Sequence, residues 1–283
     1  MSCGNKDADV TRSDKIVCVS SITIIADLVK NIGGDKVESK SICGTGVDPH
    51  TFKPRPGDTR MISESDIVFI NGLGLEHWIE EMIRNAGGTG KVVTVTEGID
   101  PLTDEKGFGD PDPHMWFNIN HVKIYVRNIA NALVEHDVRN RQYYEDNLRD
   151  YTLKLDSLDR WARIRLSEIS ENNRVLITSH DAFRYFGSAY GIEVRALQAI
   201  STEAKPQTKD VTVLVDLIKS RGIKAVFIET SVNPKLLEEI SRETGAVVGG
   251  TLYSDSLGDT GTPEGTYIGA VIHNVNTIVK SLK

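Results

Sequence analysis

The sequence predicts an α/β protein of two lobes, each a parallel four-stranded sheet with helices, joined by one long rigid helix. Three observations carry that expectation. At 283 residues the chain is about twice the size of a usual single domain. Short apolar runs alternate with helical stretches in two separate series, the rhythm of strand–helix–strand crossovers. Between the series lie residues 139–170, a stretch without Gly or Pro and rich in Leu, Arg, Asp and Glu.

In the first series, residues 15–20 read as a buried strand and 22–32 as a helix stopped by Gly33 and Gly34. Residues 37–43, 67–70 and 92–95 supply three more strands, with 75–85 helical between them. In the linking stretch Tyr144, Leu148, Tyr151, Leu155, Leu158 and Ala162 recur at alternating steps of four and three, which places them on one helix face. At 1.5 Å per residue that helix is about 45 Å long, a strut that resists wide hinge closure. The second series has strands at 174–178, 193–197, 225–229 and 246–248, separated by helices near 183–190, 208–220 and 234–244. The expected organisation is therefore a disordered tether over 1–14, an N-terminal lobe over 15–136, the interlobe helix over 137–170 and a C-terminal lobe over 171–283.

Composition narrows the function classes. Apolar residues make up 39% and charged residues 26%, a globular balance, and the longest apolar runs fall far short of the roughly 20 residues of a membrane span. A net charge of −7, with no run of basic residues, argues against nucleic acid, whose phosphates are bound by Lys/Arg patches. The cysteines, Cys3, Cys18 and Cys43, have no C-x-x-C spacing, so neither a thiolate zinc site nor a redox motif is expected. Cys18 and Cys43 lie in apolar runs and read as free buried thiols, the alternative being a disulfide between them. Cys3 stands in a polar opening with no apolar signal region before it. It is either a stray cysteine or the first mature residue of a lipoprotein whose signal peptide Met1 and Ser2 replace.

Of seven histidines, His77, His121, His136 and His273 read as surface or helix-end residues. The other three stand in turns just after strands: His50 in Val-Asp-Pro-His, His114 in Asp-Pro-His-Met-Trp-Phe and His180 in Thr-Ser-His-Asp-Ala-Phe. Residues leaving the carboxyl ends of parallel strands converge in one crevice, so imidazoles from both lobes can meet there. Taken singly, each reads more readily as a turn histidine bonded to a carbonyl; three at strand ends point to a metal. The loop after the last strand offers Asp255 and Asp259 as a fourth donor. Asp48 and Asp112, each two residues before a histidine, could accept a hydrogen bond that orients it or cap the following helix.

These segments, with Tyr-Ser-Asp-Ser-Leu-Gly at 253–258 and Gly-Thr-Pro-Glu-Gly-Thr-Tyr at 261–267, resemble the metal-binding receptors of ABC transporters of the TroA/ZnuA/PsaA type, TroA-like members above all, over nearly the whole chain from Lys15 to Lys283. The resemblance implies metal ligation by His50, His114, His180 and Asp255, one Zn2+ or Mn2+ as transported ligand, and a membrane ABC permease as partner. It also implies lipid anchoring through Cys3, at the periplasm or the outer face of the cytoplasmic membrane, and a monomer. Manganese-type members carry Glu at the position of His180, and three imidazoles with one carboxylate is the more zinc-like set. Dedicated zinc receptors usually have a long His-rich loop before the second ligand, whereas residues 98–113 contain no His.

Two other classes compete. A zinc-dependent hydrolase would need an open coordination position and a general base. Glu203 and Asp181 are the available bases, with Asp181 also a candidate neighbour of the ligand set, yet neither belongs to an H-E-x-x-H motif. Ser179, His180 and Asp181 are contiguous and cannot form a triad, and the sequence has no G-x-S-x-G elbow. A surface adhesin lipoprotein is the remaining alternative, on which the residues bear neither way.

Overall fold

The computed structural model describes residues 14–87, 90–103 and 110–283, so Cys3 and all but the last residue of the expected tether lie outside the described residues. The first lobe runs β1 (Ile16–Ser20), α1 (Thr23–Gly33), β2 (Val37–Ser41), α2 (Pro56–Ser63), β3 (Ile67–Ile70), α3 (Ile79–Asn85) and β4 (Lys91–Thr94). Its strands form one parallel sheet in the order β2-β1-β3-β4. The β-branched runs of β1 and β3 are buried almost throughout, as central parallel strands covered on both faces require. Helix α1 covers the sheet with Ile24, Ile25, Leu28, Val29 and Ile32, all essentially inaccessible. It ends where Gly34 takes φ 55°, and a Cβ on Gly33 would fall 2.3 Å from Val37 Cγ1, so only glycine allows the immediate return into β2.

Helix α4 (Ile119–His136) leads to the long α5 (Arg141–Leu166). The expected helix over 139–170 is thus trimmed at both ends, by a 3-10 turn at Val138–Asn140 and by a stop at Leu166. Leu166 and Ile169 are both buried, so the chain bends there to enter the second lobe. The remaining 26 residues span about 39 Å. Tyr144, Tyr151, Leu155, Leu158 and Ala162 face inward, and Leu148 is half-buried.

The second lobe comprises β5 (Val175–His180), α6 (Arg184–Tyr190), β6 (Glu193–Gln198), α7 (Thr208–Arg221), β7 (Ala225–Glu229), α8 (Lys235–Thr244), β8 (Val247–Leu252) and α9 (Tyr267–Leu282). Its strands are parallel but differ from the expected single sheet: they form two hydrogen-bonded pairs, β5–β6 and β7–β8, with β5 and β7 side by side. The register of β7 against β8 slips between Val226 and Phe227, and at the ends of β5 and β7 the amide of His180 donates to the side-chain carboxylate of Glu229.

One apolar core runs without a break from the first sheet through α4 and α5 into α6, α9 and part of β7; a smaller core lies under α7 and α8. The lobes are joined inside this core by Phe117 against Phe183, ring centroids 4.1 Å apart, and by Tyr267 donating to the Trp116 carbonyl. A continuous, closely packed interior of this kind resists large relative movement of its parts. Among the described residues no helix is long and apolar enough to cross a membrane.

Candidate metal centre

His50 lies in the loop after β2, His114 in the loop after β4, His180 is the last residue of β5, and Asp255 follows β8. All four are buried, and one donor atom from each lies within 4.8 Å of the other three. Among the described residues this is the only such group of His, Cys, Asp or Glu. His114 Nε2 sits 3.2 Å from His50 Nε2, 3.3 Å from His180 Nε2 and 3.5 Å from Asp255 Oδ1, while His180 Nε2 is 3.5 Å from Asp255 Oδ2. Ring nitrogens so close need a proton or a cation among them, because facing lone pairs repel. Four donors bound tetrahedrally at the 2.0–2.1 Å of zinc–nitrogen bonds stand about 3.3 Å apart, close to the spacings found here.

The surrounding groups prepare the donors. Asp112 Oδ1 accepts from His114 at both Nδ1 (2.8 Å) and the backbone amide (3.0 Å), which turns the Nε2 lone pair of that ring inward. His180 is held by Glu229, which accepts its amide at 2.9 Å and brings Oε2 to 2.7 Å from Nδ1. Ser231 donates to Asp255 Oδ2 at 2.9 Å, and Asp255 Oδ1, also buried, has no hydrogen-bond partner among the described residues. An acceptor left unsatisfied in a dry interior is costly, and a cation at the cluster centre would satisfy it.

Charge divides unevenly. Burial lowers His50 to about 3, helped by the neighbouring His114. Burial also pushes His180 down, but Glu229 and Asp255 outweigh it and raise this imidazole well above the ordinary histidine value. Burial would raise the Asp255 carboxyl; His180 first, then His114 and His50, hold it well below the usual carboxylate range.

A family model described as the periplasmic component A of a zinc-uptake complex, ZnuA, matches residues 18–281. The chain belongs to the ZnuA family. Within it, 38% of positions are identical to the manganese-binding lipoprotein MntA of Bacillus subtilis over 291 residues, covering 99% of this chain and 94% of that protein. The iron ABC transporter substrate-binding lipoprotein MtsA of Streptococcus pyogenes is 33% identical over 292 residues, covering 100% and 94%. Among solved structures, the periplasmic zinc-binding protein TroA of Treponema pallidum superposes with a TM-score of 0.90 at 36% identity, covering 95% of this chain and 99% of that one. The ZnuA family is one of transport receptors rather than enzymes.

Against this family frame, the other residues singled out from the sequence fall into different places. Asp48 accepts the His50 amide at 2.9 Å but does not touch its ring; its second oxygen accepts from Thr51 and, across the cleft, from Thr202 at 2.5 Å. Asp181 leans towards Arg184, 3.9 Å away, and Asp259 is exposed. Glu203 pairs with His77 at 3.1 Å at the cleft edge, and His77 also reaches the His50 carbonyl. Cys18 and Cys43 are free and buried, and burial raises Cys18 to about 12.

Sequence reasoning missed a supporting loop. After β3, Glu76 is buried and accepts from Ser21, Asn71 and Gly72, holding a tight turn in which Leu73 has φ 58°. From that turn Asn71 donates to the Pro113 carbonyl and Trp78 to the Pro49 carbonyl, each at 2.9 Å. One loop thereby fixes the residues just before His114 and His50. The available signal was a Glu and a Trp close behind a Gly-Leu-Gly turn at a strand end, where polar groups gather about a crevice.

Proposed function

We propose that this chain is an extracytoplasmic solute-binding protein that holds one transition-metal ion through His50, His114, His180 and Asp255 and delivers it to a membrane ABC permease for import. The observation that carries the proposal is the buried cluster of four inward-facing donors, with Asp255 Oδ1 lacking a hydrogen-bond partner among the described residues. Zinc is favoured over manganese, because three imidazoles and a single carboxylate suit the softer, four-coordinate ion. The names of relatives span manganese, iron and zinc, so the donor set is the argument for the metal. Residues 15–136 and 171–283 act as the two walls of the site around the strut at 137–170, and the core they share limits the change on binding to loop ordering and a small tilt. The relatives named as lipoproteins support anchoring through Cys3 and a position on the outer side of the cytoplasmic membrane.

The test is competition titration of the metal-stripped monomer with Zn2+ and Mn2+ against chelators of known affinity. One equivalent of Zn2+ bound with nanomolar or tighter affinity, and more tightly than Mn2+, is the expected result. Tighter binding of Mn2+ would overturn the choice of metal, and no stoichiometric binding of either ion would overturn the function.

A further inference from the structure

We propose that Glu229 is a positioning residue for metal capture: it fixes the tautomer of His180, so that this ring presents a bare Nε2 to the ion. The inference rests on the metal-binding reading above. Glu229 ends β7, is 3% exposed, and has no ion pair with a Lys or Arg among the described residues to account for its burial. Its two oxygens are committed to one residue. Oε1 accepts the His180 amide at 2.9 Å, and Oε2 lies 2.7 Å from His180 Nδ1; neither Oε2 nor Nδ1 has another partner among the described residues. Two unpartnered atoms at that distance have one way to be satisfied, with Nδ1 carrying a hydrogen towards Oε2.

The consequence is chemical. A carboxylate oxygen accepts, so Nδ1 keeps its hydrogen, and the nitrogen that gives up a proton to the ion is Nε2, which faces His114 and Asp255. The same carboxylate lends the ring negative charge and makes it a stronger donor. The His180 amide demands an acceptor at Oε1, so in Glu229→Gln the amide group has one orientation open: carbonyl to the backbone N–H, NH2 towards Nδ1. A donor facing Nδ1 forces that nitrogen to accept, which moves the ring hydrogen to Nε2 and into the space of the ion.

This gives a test that a merely structural role would not pass. Metal-stripped full-length wild type, E229Q, E229A and Asp255→Ala are titrated with Zn2+ against a chelator, with circular dichroism reporting the fold of each. E229Q is expected to lose about a hundredfold in affinity, the upper end for groups behind a ligand, and the smaller E229A less, about tenfold. A role in packing alone predicts the opposite order, since Gln fills the space of Glu and Ala leaves a hole. E229Q binding like wild type, or more tightly than E229A, overturns the proposal. If E229Q does not fold, E229A decides: a tenfold loss supports the proposal and wild-type affinity overturns it. Asp255→Ala separates the two readings, because its failure to bind beside an unaffected E229Q leaves metal capture standing and removes only the role of Glu229. Wild-type binding by Asp255→Ala removes both.

Discussion

The two halves of the candidate site reach the same point in space with opposite electrostatics. The first lobe supplies His50, made neutral by burial, and His114 with Asp112 behind it. The second supplies His180 and Asp255, whose mutual attraction, reinforced by Glu229, keeps the imidazole protonated and the carboxyl ionised. Before an ion arrives, the second half is therefore a buried ion pair, while the first offers His50 as an uncharged donor. The difference teaches that the proton on His180 holds the place of the cation: it balances Asp255 in a dry interior where an unpaired charge is expensive.

Removing Asp255 is the hardest test of that contrast. Asp255→Ala deletes the one anionic donor and strands the protonated His180. Truncating one member of a buried charged pair typically costs 2–5 kcal/mol, so Zn2+ affinity should fall about a thousandfold. His50→Ala removes an uncharged donor from the first lobe and should cost about 1.4 kcal/mol less, a tenfold smaller drop. Isothermal competition titrations check the ranking; equal losses from both variants would erase the asymmetry.

The proton supplies the next prediction. Because Glu229 and Asp255 outweigh burial to raise His180 above its unfolded value, its contribution to folding stability is fully present below about pH 6.5 and is lost as pH rises through the folded-state value. Metal must displace that same proton, so metal-derived stability grows over the same window. Melting temperatures with chelator and with saturating Zn2+ should therefore diverge as pH goes from 6 to 8.5. Zn2+ binding at pH 7 should release about one proton, read by calorimetry in buffers of different ionisation enthalpy. Curves that stay parallel, with no proton released, would mean that His180 is already neutral. In the first lobe, Asp112→Asn should disturb the tautomer of His114 and weaken Zn2+ by about 10- to 100-fold.

How much of this could be read beforehand depended on whether the determinant was local. The three histidines stood out because each follows a strand and the strands are parallel, so topology alone brings their loops to one crevice; the same rule applied to β8 offered Asp255 and Asp259 alike, and only the family resemblance chose Asp255. The inward face of α5 was legible from its steps of three and four. What was not legible came from contacts between distant residues. Glu229 reads as an ordinary strand end, and its meaning lies in His180, 49 residues earlier and reached only because β5 and β7 lie side by side. Asp48 looked like a partner for the His50 ring, yet one of its oxygens accepts the His50 amide and the other is shared by Thr51 and by Thr202, 154 residues away. The pairing of the second lobe's strands was hidden likewise, because an apolar run does not say which neighbouring strand it bonds.

The smallest expected effect concerns the seam between the halves rather than either half. Thr202 and Glu203, in the loop after β6, cross to Asp48 and His77 at the cleft edge, while the shared core lies deeper. The core sets how far the lobes can separate, so these bonds should govern the rate at which the cleft admits and releases an ion. Thr202→Val keeps the size of the side chain and leaves Asp48 its bonds to His50 and Thr51. One hydrogen bond to a carboxylate is worth about 1.5 kcal/mol at most at a partly exposed site, so Zn2+ dissociation, followed by stopped flow with an excess of chelator, should quicken about 3- to 10-fold. The association rate should change little, since most single changes at a binding surface act through dissociation. An unchanged dissociation rate would locate the barrier in the metal–ligand bonds themselves, and the cleft edge would then be a passive rim.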